Sequence, residues 1–370
     1  MPKSPFVPPV YPYDRLNDAK AAADALPGGI VDLSIGTPCD PPAQAVLDAL
    51  ATSNTERGYP QSIGSPALRD AVAAWIDRRL GVSVEAAHIA ACVGTKEFVA
   101  TLPQWLALRD PSRDTVLYPE LAYPTYEMGA ILAGCRAVAV PVAADFTLRL
   151  DAIDDADAAR ALCLWVNTPG NPAGQLDDLG AAAAWGRRHS VPVFSDECYV
   201  EFTWDGAKRT ILQHGTEGVV AVHSLSKRSN LAGLRVGFYA GDADLVHYLS
   251  EVRKHVGMMV PGPAQAAGVA ALNDDVHVDE QAGRYRHRLE RAAQIFKAVD
   301  LDAAMPRGGF YLWAEAPEGD AWRLVDRLAR EGGCLVTPGD TFGPAGQRYV
   351  RCALVQPDDR LELVANRLGV

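Results

Sequence analysis

The sequence predicts an α/β protein: a large domain with a mostly parallel, seven-stranded sheet sandwiched by helices, and a smaller α+β domain. Three observations predict it. Seven short apolar runs, at 89–93, 115–119, 136–141, 161–166, 191–195, 219–224 and 235–240, are mostly continuous rather than alternating, as strands covered on both faces are. Helical patterns such as SPALRDAVAAWIDRRL and LDDLGAAAAWGRRH lie between them, and strand–helix alternation builds a parallel sheet. The length, 370 residues, is too great for one simple domain and short for three.

The elements follow in order. Residues 1–35 hold a Pro/Tyr-rich arm, then an Ala-rich helix (NDAKAAADAL) closed by PGG. The arm reads as a segment that packs on another body, another subunit being one option. Residues 36–270 carry the seven apolar runs and make the large domain. From 271 to 370 a long charged helix (DEQAGRYRHRLERAAQIFKAV), the run GGFYLWAE, a helix (GDAWRLVDRLAREGG) and the run RYVRCALV make the smaller domain, together with the arm.

Composition narrows the function classes. Hydrophobic residues make up 48%, enough for a sizeable core. The net charge is −11 with no basic run, which argues against a nucleic-acid partner and means that any anionic ligand must be drawn by a few local cations. Seven cysteines are scattered without a C-x-x-C pair, and the eight histidines show no ligand spacing, so reduced thiols in a cytoplasmic protein and no metal site are expected. The start lacks an apolar segment of signal-peptide length, and no window suits a membrane span, so no membrane partner is expected.

Ligands of an open α/β sheet sit beyond the carboxyl ends of its strands, so the loops there carry the search. After the first run, GTKEFVATL puts Gly94, Thr95 and Lys96 at a strand–helix turn, where free N–H groups and the helix dipole favour an anion. Any such turn also favours Gly and Thr. After the second, Tyr123 and Tyr126 bracket a proline turn. One ring is placed to stack on a flat ligand, or both simply pack. The loop NTPGNPAG holds Asn167 and Asn171 stiffly, as donors or as ordinary turn residues. Asp196 follows an apolar strand and is costly there unless a cation or donors meet it, with Tyr199 three residues on; a helix N-cap is the plain alternative. The last loop, HSLSKRSNLAGLRVG, brings Ser224, Lys227 and Arg235. A poorly solvated lysine has a lowered pKa and becomes a nucleophilic amine. Most lysines are exposed loop residues, but five successive strand ends here supply what an aromatic, phosphorylated aldehyde requires.

S-x-x-K with an arginine eight residues after the lysine, N-x-x-x-N-P-x-G and D-E-x-Y, in that family's order, resemble the pyridoxal-phosphate site of the class I/II aminotransferases of fold type I. The likeness runs from SIGTPCDPP to RYVRCAL. GTKEFVA, PELAYPTYE, SLSKRSNLAG and EVRKHVGMMVPGPAQAA are similar to N-succinyl-diaminopimelate aminotransferases of lysine biosynthesis.

The resemblance implies roles. Lys227 would tether pyridoxal 5'-phosphate and move the substrate's α proton. Asp196 would pair with the pyridine nitrogen, Asn171 and Tyr199 with the ring's phenolic oxygen, and Tyr123 would stack on the ring. The phosphate would lie on Gly94, Thr95, Lys96, Ser224 and Arg235, with Tyr59 reaching in from the second subunit of a homodimer. Arg351 would grip the substrate α-carboxylate, with Arg348 its nearest rival and the Gly36 N–H assisting. Lys96 is the choice for a distal carboxylate, with Arg228 and Lys254 as alternatives. The expected partners are small amino acids and 2-oxo acids. The expected reaction moves an amino group between glutamate and N-succinyl-2-amino-6-oxopimelate. Alternatives are an aspartate or aromatic transaminase, a C–S lyase on the same scaffold, or a non-catalytic sensor domain.

Overall fold

The computed structural model describes residues 5–370; the first four residues of the arm lie outside it. The strands are β1 (Val31–Asp32), β2 (Ile89–Cys92), β3 (Thr115–Pro119), β4 (Arg136–Val140), β5 (Ala161–Asn167), β6 (Val193–Asp196), β7 (Val219–Ser224), β8 (Gly237–Gly241), β9 (Tyr311–Glu315), β10 (Cys334–Leu335), β11 (Thr337–Pro338) and β12 (Tyr349–Ala353). Seven of them form one sheet in the order β2-β8-β7-β6-β5-β3-β4. All seven apolar runs of the sequence are in it. Neighbours from β7 across to β4 are parallel, and β8 alone runs antiparallel to both its partners.

The continuous apolar runs follow from burial on both sides. Along β5, Leu164 and Val166 enter one core while Leu162 and Trp165 enter the other. Along β7, Val219 and Ala221 face the first core, Val220 and Val222 the second. Each such side chain contributes about 1.5–3 kcal/mol through burial, so neither face of these strands has room for a polar residue until the strand ends. The covering helices carry ordinary signals. In Pro66–Leu80, Ser65 caps the start by accepting from the Leu68 N–H at 3.2 Å, Pro66 opens the first turn and Gly81 closes the helix in the left-handed region.

A second sheet, β11-β12-β9, is antiparallel, and β1 pairs with β10 in parallel. Its apolar cluster joins Leu16, Val31 and Leu33 from the start of the chain to Leu289, Leu312, Val350 and Leu361 from the end. The chain start is thus tied down: Val31 pairs with Cys334, and the Arg15 guanidinium meets Asp340 at 2.8 Å.

Two expectations need correction. The run at 191–195 is displaced: β6 spans Val193–Asp196, so Asp196 is the last strand residue and pairs across to Asn167 rather than opening the loop. The arm, read as packing on another body, divides in two. Phe6, Val7 and Val10 are exposed, while Tyr11 and Tyr13 fold onto their own chain and line a polar cleft.

Candidate functional site

That cleft is a cavity of about 430 Å³ at the carboxyl ends of β5, β6 and β7. Nearly every residue singled out by the loops lines it: Gly36, Thr95, Lys96, Tyr123, Asn171, Asp196, Tyr199, Ser224, Lys227, Arg235 and Arg351. Gly94 stands immediately behind.

One wall is an anion cradle. Gly94 has φ 74° and begins the helix Thr95–Arg109, whose first turn has no side-chain cap. Its free N–H groups and dipole therefore face the cavity without a protein partner. The Arg235 guanidinium lies against Gly94 so closely that a Cβ there would sit 2.2 Å from Nη2. Arg235 donates to the Ala232 carbonyl at 3.0 Å, and among the described residues no carboxylate pairs with it. Ser224 lies on the same side, its Oγ accepting from the Ser226 N–H at 3.1 Å.

The floor holds the reactive groups. Lys227 projects from the short helix Leu225–Arg228, and its Nζ donates to the Gly36 carbonyl. The sequence expectation named the Gly36 N–H; the carbonyl is the group engaged here. Burial pulls the Lys227 ammonium down to about 8, opposed by Cys198 and reinforced by the positive charges of Arg351 and Arg235. Asp196 is buried; the Tyr126 hydroxyl donates to its Oδ2 at 2.8 Å and the Cys198 N–H to its Oδ1 at 3.2 Å. Burial lifts its pKa above the usual carboxylate range, against the pull of those donors. Asn167 and Asn171 are stacked by one bond, the Asn171 N–H donating to Asn167 Oδ1 at 2.8 Å.

The far wall holds Arg351, 2% exposed on β12. Its Nη1 donates to Asn171 Oδ1 at 2.7 Å and its Nη2 to the Tyr13 hydroxyl at 3.2 Å and the Ser34 carbonyl. Its Nε is buried without a partner, and among the described residues no carboxylate neutralises it. Asn171 thus engages Arg351, and Tyr199 shares a 2.8 Å hydrogen bond with Tyr311. Lys96 sits at the mouth, its Nζ 3.3 Å from the Tyr11 hydroxyl. Burial pulls its pKa down, but Tyr123 and Tyr11 outweigh that and hold it above the ordinary lysine value.

Other candidates fall away from the cavity. Arg228 turns to Glu201 at 3.4 Å, Lys254 pairs with Glu251 at 2.7 Å and Arg348 with Glu315 at 2.8 Å. None of the three lines the cavity. Tyr59 is 99% exposed and stands outside it.

Four tyrosine roles in the geometry carry no sequence signal of their own: either Tyr123 or Tyr126 stacks or both pack as the sequence reads, and Tyr11, Tyr13 and Tyr311 match no motif. The pair YPY in the arm and FYLW after a Gly-Gly turn were visible, but nothing local says that segments about 300 residues apart meet. An uncapped helix terminus, two guanidiniums without carboxylates, an amine of lowered pKa and a buried carboxylate suit a phosphorylated, nitrogen-bearing aldehyde and a carboxylate substrate.

The comparisons agree with that fit. The family model described as aminotransferase class I and II matches residues 29–368. The chain is 41% identical over 368 residues to the 4-dedimethylamino-4-oxo-anhydrotetracycline transaminase OxyQ of Streptomyces rimosus, covering 97% of this chain and 99% of the relative. It is 33% identical over 374 residues to the LL-diaminopimelate aminotransferase of Aquifex aeolicus, covering 97% and 96%. The solved structure of a probable N-succinyldiaminopimelate aminotransferase from Thermus thermophilus superposes with a TM-score of 0.86 at 33% identity, covering 97% and 99%.

Proposed function

The chain belongs to the class I and II aminotransferases, a pyridoxal-phosphate-dependent family, and on that premise we propose that it transfers the amino group of glutamate to N-succinyl-2-amino-6-oxopimelate. The observation that carries the reading is a pair of cations: Arg235 and Arg351 flank Lys227, and neither has a carboxylate among the described residues. One suits a phosphate, the other an α-carboxylate.

Each side chain then has a task. Thr95 and Lys96 offer backbone N–H groups to the phosphate, with Ser224 and Arg235 beside them; Gly94 shapes the turn, its own N–H donating to the Cys92 carbonyl at 2.8 Å. Tyr123 stacks on the ring. Asp196, kept in place by Tyr126 and Cys198, holds a proton on the pyridine nitrogen. Tyr199 and Asn171 face the ring's phenolic oxygen, Asn171 also bracing Arg351. Bound pyridoxal phosphate supplies an electron sink for the pair left when the substrate's α C–H bond breaks. Lys227 tethers it and carries the proton at Nζ; an amine with a pKa near 8 both accepts and returns a proton close to neutrality. Arg351 orients the α C–H bond, the choice of bond being a matter of orientation. With Arg228 and Lys254 outside the cavity, Lys96 is the remaining cation for a distal carboxylate. Tyr59, fully exposed, serves the phosphate of a second copy in a homodimer.

The acceptor rests on resemblance of whole segments and on the relatives named for diaminopimelate compounds. A second acceptor class, a ring ketone, is favoured by the phenols of Tyr11, Tyr13 and Tyr311 in the cavity lining and by the relative named as a 4-dedimethylamino-4-oxo-anhydrotetracycline transaminase. A half-reaction screen separates them. Glutamate is expected to convert the bound aldehyde to the amine form, seen in the visible spectrum, and N-succinyl-L,L-diaminopimelate to do the same. Reaction with aspartate or phenylalanine but not with the succinylated compound overturns the acceptor; silence with glutamate overturns the donor.

A further inference from the structure

Tyr311 is drawn into the cavity from β9, and no sequence motif marks it. It is 2% exposed and touches three parts of the site at once. Its ring lies under Arg351, with Cζ 4.4 Å from the ring centroid; Phe342 closes the other face at 4.6 Å. Its hydroxyl stands 2.8 Å from that of Tyr199. It also lies so near Gly36 that a Cβ there would fall 2.2 Å from the phenol oxygen, so only glycine admits the ring at this depth. The Gly36 carbonyl in turn receives Lys227 Nζ.

We propose that Tyr311 is a positioning residue with two separable tasks: its ring fixes the guanidinium of Arg351, and its hydroxyl directs that of Tyr199 into the cavity. This rests on the reading that Tyr199 faces the cofactor and Arg351 the substrate.

The geometry argues both halves. A guanidinium sandwiched between two aromatic faces keeps its plane and gains cation–π attraction. Arg351 needs that support, because its remaining contacts are neutral oxygens that do not outweigh the cost of burial. The hydroxyl pair holds two protons for one mutual hydrogen bond, so one proton is free for a third atom. Where Tyr199 turns its proton to the ring's phenolic oxygen, its own oxygen is left to accept, and the phenol placed to donate to it is Tyr311, 2.8 Å away. Without that donor, Tyr199 loses its preferred direction.

The test uses the holoenzyme and two variants, Tyr311→Phe and Tyr311→Leu. The first readout is the pH titration of the visible band of bound pyridoxal phosphate, which needs no amino donor. Tyr311→Phe is expected to raise its midpoint by about one pH unit, because a hydrogen bond to the phenolic oxygen weakens. The second is the Kd for 2-oxoglutarate, a carboxylate that does not react with the aldehyde form, read from its perturbation of the same band. Tyr311→Phe is expected to change it by less than about threefold and Tyr311→Leu to weaken it about tenfold, a 1.4 kcal/mol difference. An unmoved midpoint in Tyr311→Phe overturns the hydroxyl task. Equal Kd changes in both variants, or none in Tyr311→Leu, overturn the ring task. A wild-type band that titrates but does not respond to glutamate counts against the proposed donor and leaves the midpoint comparison decisive.

Discussion

Lys227 and Arg228 are neighbours in the chain and lead into two opposite kinds of charged interior. Arg228 enters a closed cluster around Glu201. There Arg79 meets Glu201 at 2.9 Å, Lys208 at 2.7 Å and Arg228 at 3.4 Å, and the Trp75 Nε1 donates to it at 2.7 Å. Asp275 takes a share of Arg228 at 3.5 Å. Lys227 enters the cavity, where Arg235 and Arg351 are held, among the described residues, by carbonyls and hydroxyls alone. The difference teaches what to read from a buried cation. In the cluster the cations have carboxylates and the charge is settled inside the fold. In the cavity the protein bears the cost of cations that its own acids leave uncancelled, which makes sense where the missing anions arrive as ligands.

The largest break in this comparison is Lys227→Ala. It is expected to lower kcat by about ten-thousandfold while leaving thermal stability nearly unchanged, because on the proposed function the loss is of proton transfer and tether. Steady-state rates and a melting scan check both halves. A variant that melted much lower with residual activity would place Lys227 with the structural cations instead.

Arg351→Gln comes next. Loss of the charged, paired hydrogen bonds proposed for the α-carboxylate is expected to lower kcat/KM for the amino donor by about a hundredfold or more. The effect should lie mainly in KM, and a second variant, Arg348→Gln, should be nearly silent because Arg348 is a surface partner of Glu315. Equal losses in both would break the assignment.

These two residues also show how far the sequence carries. Lys227, Asp196 and Asn171 were legible because each follows a continuous apolar strand, and strand ends are where an open sheet places its ligands. Arg351 entered only through resemblance, since the run that holds it, RYVRCAL, reads equally as a core strand with a salt-bridge partner. Tyr311, Tyr11 and Tyr13 stayed invisible for a different reason. Their chemistry depends on which distant segments the fold brings together, and no local period or turn signal encodes that. The Glu201 cluster is hidden likewise: nothing local in YVEF marks its acid as buried, and only the packing of the helices Pro66–Leu80 and Val276–Lys297 brings Arg79 and Asp279 beside it.

Glu201→Gln tests the other interior. Burial alone would push this carboxyl up, but Arg228, Lys208 and Arg79 outweigh it and hold it at about 2. A carboxylate with a depressed folded-state pKa contributes stability that is present above its unfolded value and is lost as pH falls through the folded value. At pH 7 the substitution is expected to cost about 3 kcal/mol, since it leaves three cations facing a neutral amide. The gap should narrow as pH falls from about 4.5 towards 2. Denaturant melts at pH 7 and pH 4 check it, with kcat expected to stay within about threefold. A gap that stays constant with pH would show that packing, not charge, holds the cluster.

The smallest effect sharpens the comparison with its mirror case, a buried acid that no cation meets. Asp177 lies behind the NTPGNPAG loop; its Oδ1 accepts from the Leu148 N–H at 2.7 Å and its Oδ2 is buried without a hydrogen-bond partner. Burial raises its pKa to about 6 despite the Leu148 N–H and Gln175. Here the sign reverses. The folded state prefers the protonated carboxyl, so the contribution of Asp177 to stability is fullest below about 3.8 and declines as pH rises towards 6, where the cost of a bare buried charge is fully present. Asp177→Asn removes the charge, keeps an acceptor for Leu148 and turns a donor towards Gln175, whose Oε1 is also buried without a partner. The variant is expected to be more stable than wild type by about 1–2 kcal/mol at pH 7, and by nearly nothing at pH 4. Urea midpoints at the two pH values decide it. A destabilised variant at pH 7 would mean that Asp177 has a cationic or donor partner when folded, and the distinction drawn between settled and unsettled charge would then have to include it on the settled side.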